Sequence, residues 1–126
     1  METPVYLFTG FLESGKTMFI QDTLEDERFN SGEKTLLLVC EEGEEEFDES
    51  RFSGHNVTIK VLDGEEDLTE DNLAKWQSES GAVRVMVEYN GMWMLQSFYD
   101  SMPDGWIPLN LTVLPLYFFI SSVISL

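Results

Sequence analysis

The sequence predicts an α/β domain of three layers with a mostly parallel sheet. Three observations carry this. A short β-branched and aromatic run at residues 4–9 leads into a glycine loop and then a helical pattern. A nearly continuous apolar run at residues 34–40, bounded by turns, reads as a strand buried on both faces. Strand, helix and second buried strand make a βαβ unit, and a further strand follows at residues 82–87.

The glycine loop is the most informative stretch. Gly10-Phe11-Leu12-Glu13-Ser14-Gly15-Lys16-Thr17 matches G-x-x-x-x-G-K-[ST], the phosphate-loop pattern. Gly10 and Gly15 permit the tight backbone that aims successive N–H groups at phosphate oxygens. The first turn of the following helix adds unpaired N–H groups and the positive end of its dipole. Lys16 supplies a mobile cation for the β and γ phosphates, and the Thr17 hydroxyl suits Mg²⁺. Glu13 and Ser14 complete the nucleotide-contacting loop, with the Glu13 side chain expected to face outward.

The totals narrow the function. The chain has 126 residues and a net charge of −17, which argues against a nucleic-acid or acidic-membrane surface. A single cysteine, Cys40, excludes an internal disulfide and a Cys-rich zinc site, and fits a reducing, cytoplasmic setting. Residues 1–4 carry no basic region or apolar core of a secretory signal.

In chain order, the first helix is expected from Lys16 to about Phe29, with Gly32 as a left-handed stop. Asp22, Glu25, Asp26 and Glu27 crowd its second half and read as a solvated face. The acidic stretch 41–49 leaves the carboxyl end of the second strand, where ligands sit in open α/β sheets. Two readings stand there: a switch-like loop whose carboxylates help hold a metal, or a solvated acidic loop. The second is favoured for most of these acids, with Glu42 as the exception.

His55, alone in a polar stretch, reads as a surface residue. Residues 56–62 alternate as a strand. Residues 68–80 read as an amphipathic helix with Thr69 as N-cap, Leu73, Trp76 and Gln77 near one face, and Gly81 as its end. The strand at 82–87 then delivers Glu88, with Gly91 three residues later. An acid at a strand terminus is a Walker-B-like arrangement: Glu88 would hold Mg²⁺ or position the attacking water, and the Gly91 N–H would meet the γ-phosphate. A short helix is expected from Gly91 until Pro103, its Met and aromatic residues read as core.

Together, residues 4–16, Cys40-Glu41-Glu42-Gly43-Glu44 and Glu88-Tyr89-Asn90-Gly91 resemble the CobW/HypB/UreG family of P-loop GTPases, and its CobW-like branch in particular. The resemblance spans about residues 3–107. It implies a P-loop NTPase fold, GTP and Mg²⁺ as cofactors, slow GTP hydrolysis, and delivery of zinc, cobalt or nickel to a metalloprotein client. It assigns Lys16 and Thr17 to phosphate and Mg²⁺, Glu42 to the switch acid, and Glu88 and Gly91 to the E-x-x-G motif. The family's CxCC metal motif and guanine-reading N-K-x-D segment are absent from this sequence.

Every charged residue lies at or before Asp104, and the remainder is apolar and aromatic. Asn110, Pro115 and several serines interrupt it and no basic flank follows, which weighs against a membrane span. The shift predicts a division into residues 1–108, the N-terminal part of a nucleotide-binding domain incomplete at its C-terminus, and residues 109–126, a tail from a truncated or frame-shifted longer gene. Three functional readings follow: a GTP-binding protein of the CobW-like metallochaperone type with slow or vestigial hydrolysis, an acidic metal-binding module, or a non-functional fragment of a longer GTPase.

Overall fold

The computed structural model describes residues 2–10, 15–41 and 46–113. Its elements run β1 (Thr3–Thr9), α1 (Lys16–Glu25), β2 (Thr35–Val39), β3 (Val57–Val61), α2 (Glu70–Ser80), β4 (Arg84–Glu88), α3 (Leu95–Ser101) and β5 (Trp106–Thr112). The strands form one five-stranded sheet in the order β3-β2-β4-β1-β5. Every pairing is parallel. The described residues therefore form an α/β fold, with three α-helices joining parallel strands. No helix among the described residues is long and apolar enough to cross a membrane.

Alternation along the central strands divides the core into two layers. Val5, Leu7, Leu36, Leu38, Val85 and Val87 face α2 and α3, where they meet Leu73 and Phe98. Phe8, Leu37, Val39 and Met86 face the other way, onto Ile20 and Leu24 of α1. Both faces of β2 and β4 are buried, which is why these strands read as continuous apolar runs.

Two prolines sit within strands, each where the ladder tolerates a missing donor. Pro4 precedes the β1–β4 register, which begins at Val5↔Val85. Pro108 lies in the edge strand β5. The Val113 N–H beyond β5 donates to Thr9 O, so by alternation the nitrogen of Pro108 faces the open edge.

Helix α2 follows its sequence signals closely. The Thr69 Oγ1 accepts from the Asn72 N–H, and Gly81 closes the helix at φ 67°. Helix α1 ends earlier than expected, at Glu25 and not near Phe29. The reason is side-chain competition for the backbone. The Asn30 Nδ2 caps Leu24 O at 3.0 Å, and the Asp26 carboxylate takes the Arg28 N–H at 2.9 Å. Buried Arg84 then locks this turn, donating to Phe29 O, Asn30 Oδ1 and Thr35 Oγ1. Gly32 does adopt positive φ, 116°, but in the turn leading to β2.

Helix α3 starts at Leu95, four residues later than the expected Gly91. Asn90 makes the difference: its Oδ1 accepts from Met92 N–H and its carbonyl from Trp93 N–H, a turn that precedes the helix. Met92 and Met94 consequently face solvent at 90% and 71% exposure, against the expectation of core. The expected break between residues 108 and 109 falls inside β5, whose seven residues all pair with β1.

Candidate functional site

The site begins with two neighbouring strands whose chains leave in opposite directions. β1 and β4 pair in parallel, with Phe8 opposite Glu88 at their carboxyl ends. From there the chain passes to α1 on one face of the sheet and to α3 on the other. This divergence opens a crevice at the strand ends, the usual ligand position in an open α/β sheet. A cleft of about 280 Å³ lies there, with Thr9, Gly10, Asn90, Gly91 and Trp93 among its walls.

Gly10 and Gly15 take φ values of 141° and 97°, a region that side chains with a Cβ avoid. Gly15 is the N-cap of α1, which sets Lys16 and Thr17 at the head of the helix over the crevice. The Lys16 Nζ donates to Gly10 O at 2.7 Å, to Tyr89 O at 3.1 Å and to Glu41 Oε2 at 2.5 Å. Lys16 is only 4% exposed, so its ammonium is held by these acceptors and not by bulk water. The Thr17 Oγ1 donates to Glu88 Oε2 at 2.5 Å, joining α1 to the end of β4.

Glu88 is 2% exposed. Burial pushes its carboxyl above the usual range; the Thr17 hydrogen bond and the Lys16 charge oppose that rise, and the Glu41 charge adds to it. A carboxyl raised in the folded state favours folding fully below its unfolded value, and that contribution is lost as pH climbs through the raised value. We therefore expect Glu88→Gln to raise the melting temperature at pH 7. The advantage should shrink below about pH 4.5, where the native carboxyl is also neutral. Melting curves of both chains from pH 4 to 8 check this, and an advantage independent of pH would contradict it.

The structure thus brings together Gly10, Gly15, Lys16, Thr17 and Glu88, with Gly91 on the opposite lip. Glu13, Ser14 and Glu42 lie outside the described residues. Sequence reasoning passed over Glu41, grouping it with solvated acids. Its side chain is 10% exposed, and besides Lys16 it accepts from the Gly91 N–H, through Oε1 at 3.3 Å. The available signal was its place as the second residue beyond β2, in register beside the end of β4. Glu46, Asp48 and Glu49 are exposed, as a solvated loop requires.

Cys40 is buried, and burial first, then the Glu88 and Glu41 charges, pushes its thiol up to about 12. Such a thiol offers no thiolate to a soft metal near neutral pH. Asn90 Nδ2 donates to Cys40 O at 3.2 Å, tying the loop after β4 to β2. Among the described residues no group of three or more His, Cys, Asp or Glu side chains is placed to hold a metal ion. A cation bound between Thr17 and Glu88 would take two of its contacts from these side-chain oxygens. His55 is exposed. Comparison with protein-family models, curated proteins and solved structures finds no match.

Proposed function

We propose that this chain binds a nucleoside triphosphate with Mg²⁺, in a P-loop NTPase fold, as a GTP-binding protein of the CobW-like metallochaperone type. One observation carries the reading. Lys16 and Thr17, from the head of α1, converge with Glu88 from the end of β4, beside a crevice that Gly10 and Gly91 border, and the sequence from Gly10 to Thr17 reads G-x-x-x-x-G-K-[ST]. The choice of guanine, and of a metalloprotein client that receives zinc, cobalt or nickel, rests on the sequence resemblance alone.

The residues divide the work as follows. Backbone N–H groups at the head of α1 and around Gly15 receive phosphate oxygens, supported by the helix dipole. Lys16 exchanges its present acceptors for phosphate oxygens, so its ammonium stays paired while the nucleotide is bound. The Thr17 hydroxyl and the Glu88 carboxylate, already in contact, form an oxygen pair suited to Mg²⁺, Thr17 directly and Glu88 directly or through water. Bound Mg²⁺ would neutralise charge on the phosphates and lower the Glu88 carboxyl from its raised value. Glu88 could also orient an attacking water, which makes slow hydrolysis chemically available to the site. Cys40 is the sole cysteine and its thiol is pushed up to about 12, so a soft-metal cargo would not be carried on a thiolate of this chain near neutral pH.

The Mg²⁺ assignment is tested by titrating a fluorescent GTP analogue with and without Mg²⁺. The native chain should bind more tightly with the metal, by about tenfold or more. Thr17→Val, which keeps the shape and removes the hydroxyl, should lose most of that increment and retain metal-free binding. An undiminished Mg²⁺ increment in Thr17→Val would remove Thr17 from the metal site.

A further inference from the structure

Glu41 holds two groups that the sequence motifs assign to nucleotide phosphates, Lys16 to the β and γ phosphates and the Gly91 N–H to the γ-phosphate. Its Oε2 sits on Lys16 Nζ at 2.5 Å and its Oε1 on the Gly91 N–H at 3.3 Å. One oxygen thus meets a cation and the other a backbone donor, as two oxygens of a phosphate would. The side chain is 10% exposed, so the carboxylate lies inside the site.

We infer that Glu41 is a specificity-determining residue: its carboxylate fills the terminal-phosphate subsite and sets the balance between nucleoside triphosphate and diphosphate. The inference rests on the nucleotide-binding reading. A triphosphate that reached Lys16 and Gly91 would meet Glu41 anion against anion, and Glu41 must leave. A diphosphate stops short of Gly91: it shares Lys16 with Glu41 and leaves the Glu41–Gly91 contact in place. The displacement penalty therefore falls on the triphosphate and largely spares the diphosphate. The same carboxylate neutralises Lys16, which explains how an ammonium is only 4% exposed there.

The test compares Mg²⁺-dependent affinities for GTP and GDP in the native chain, Glu41→Gln and Glu41→Ala, with melting curves to establish folding. In both variants the preference for GTP over GDP should rise by about tenfold or more, GDP affinity changing less. A preference unchanged in both variants would overturn the inference, as would weaker GTP binding in both, which would make Glu41 a ligand of the bound state. The native chain gives a second readout independent of any variant. NMR of the Glu41 side-chain carboxyl and the Gly91 amide should show both signals shifted by GTP, with the Glu41 carboxyl little changed by GDP. A Glu41 signal unmoved by bound GTP would contradict displacement. Absence of binding by either nucleotide to all three folded chains would overturn the nucleotide reading itself, and this inference with it.

Discussion

Lys16→Ala should lower affinity for Mg²⁺·GTP by at least about a hundredfold. Truncating one partner of a desolvated, hydrogen-bonded charge pair costs about 2–5 kcal/mol, and in the proposed nucleotide site Lys16 is the cation that meets phosphate. The loss should exceed that from Thr17→Val, because the lysine acts on the phosphates whether or not Mg²⁺ is present. A structural side effect is also expected. Glu41 and buried Glu88 would then face each other without the intervening cation, so the variant should melt lower at pH 7 than at pH 5. Equilibrium titration of the variant, with far-UV circular dichroism as a folding control, reads both effects. Native-like affinity in folded Lys16→Ala would exclude Lys16 from the phosphate site.

Phe98→Ala should produce the largest loss of stability among these substitutions, about 3–5 kcal/mol. Phe98 is fully buried between two parts of the molecule that need each other. Its ring meets Tyr89 edge-on at 5.8 Å, just beyond Glu88, and Trp106 at 6.4 Å, at the start of β5. Deleting it opens a cavity under α3 and removes two aromatic contacts. Against a typical total of about 5–15 kcal/mol, the melting temperature should fall by about 10 °C or more. Because the Tyr89 carbonyl accepts from Lys16 Nζ, nucleotide affinity should fall as well, though less than in Lys16→Ala. Thermal denaturation followed by tryptophan fluorescence checks the first effect. A shift under about 3 °C would mean that α3 is not integral to the core.

Much of the fold was legible because local signals agreed with tertiary demands. Thr69, Leu73 and Gly81 announced α2 from cap to cap, and each residue occupies its expected place. The apolar run in β2 announced a strand covered on both faces, which a parallel sheet supplies. The misplaced boundaries share a cause. Asp26, Asn30 and Asn90 bond backbone groups with their side chains and so overrode a periodicity that continued past them. Pairing of residues 109–112 with β1 is a long-range event that charge composition does not report.

The site divides in the same way. Lys16, Thr17 and Glu88 were legible because a glycine loop before a helix and an acid after a strand are local patterns. Glu41 was not, since its role depends on β2 lying beside β4, a neighbour far away in sequence. The acidic run around it also disguised a nearly buried carboxylate as one more solvated charge. That Cys40 stands alone was legible from the residue count, whereas its burial beside Glu88 and Glu41 depends on the same distant neighbour.

The central claim is that this crevice holds the phosphates of a nucleotide. The most direct measurement is equilibrium binding of a fluorescent GTP analogue to the native chain with Mg²⁺, competed by unlabelled GTP, ATP and inorganic phosphate. Saturable one-to-one binding, displaced by GTP far better than by phosphate, is the predicted result. Preferential displacement by GTP over ATP would extend the claim to guanine. A folded chain that binds none of these would contradict it and leave the glycine loop as a turn before a helix.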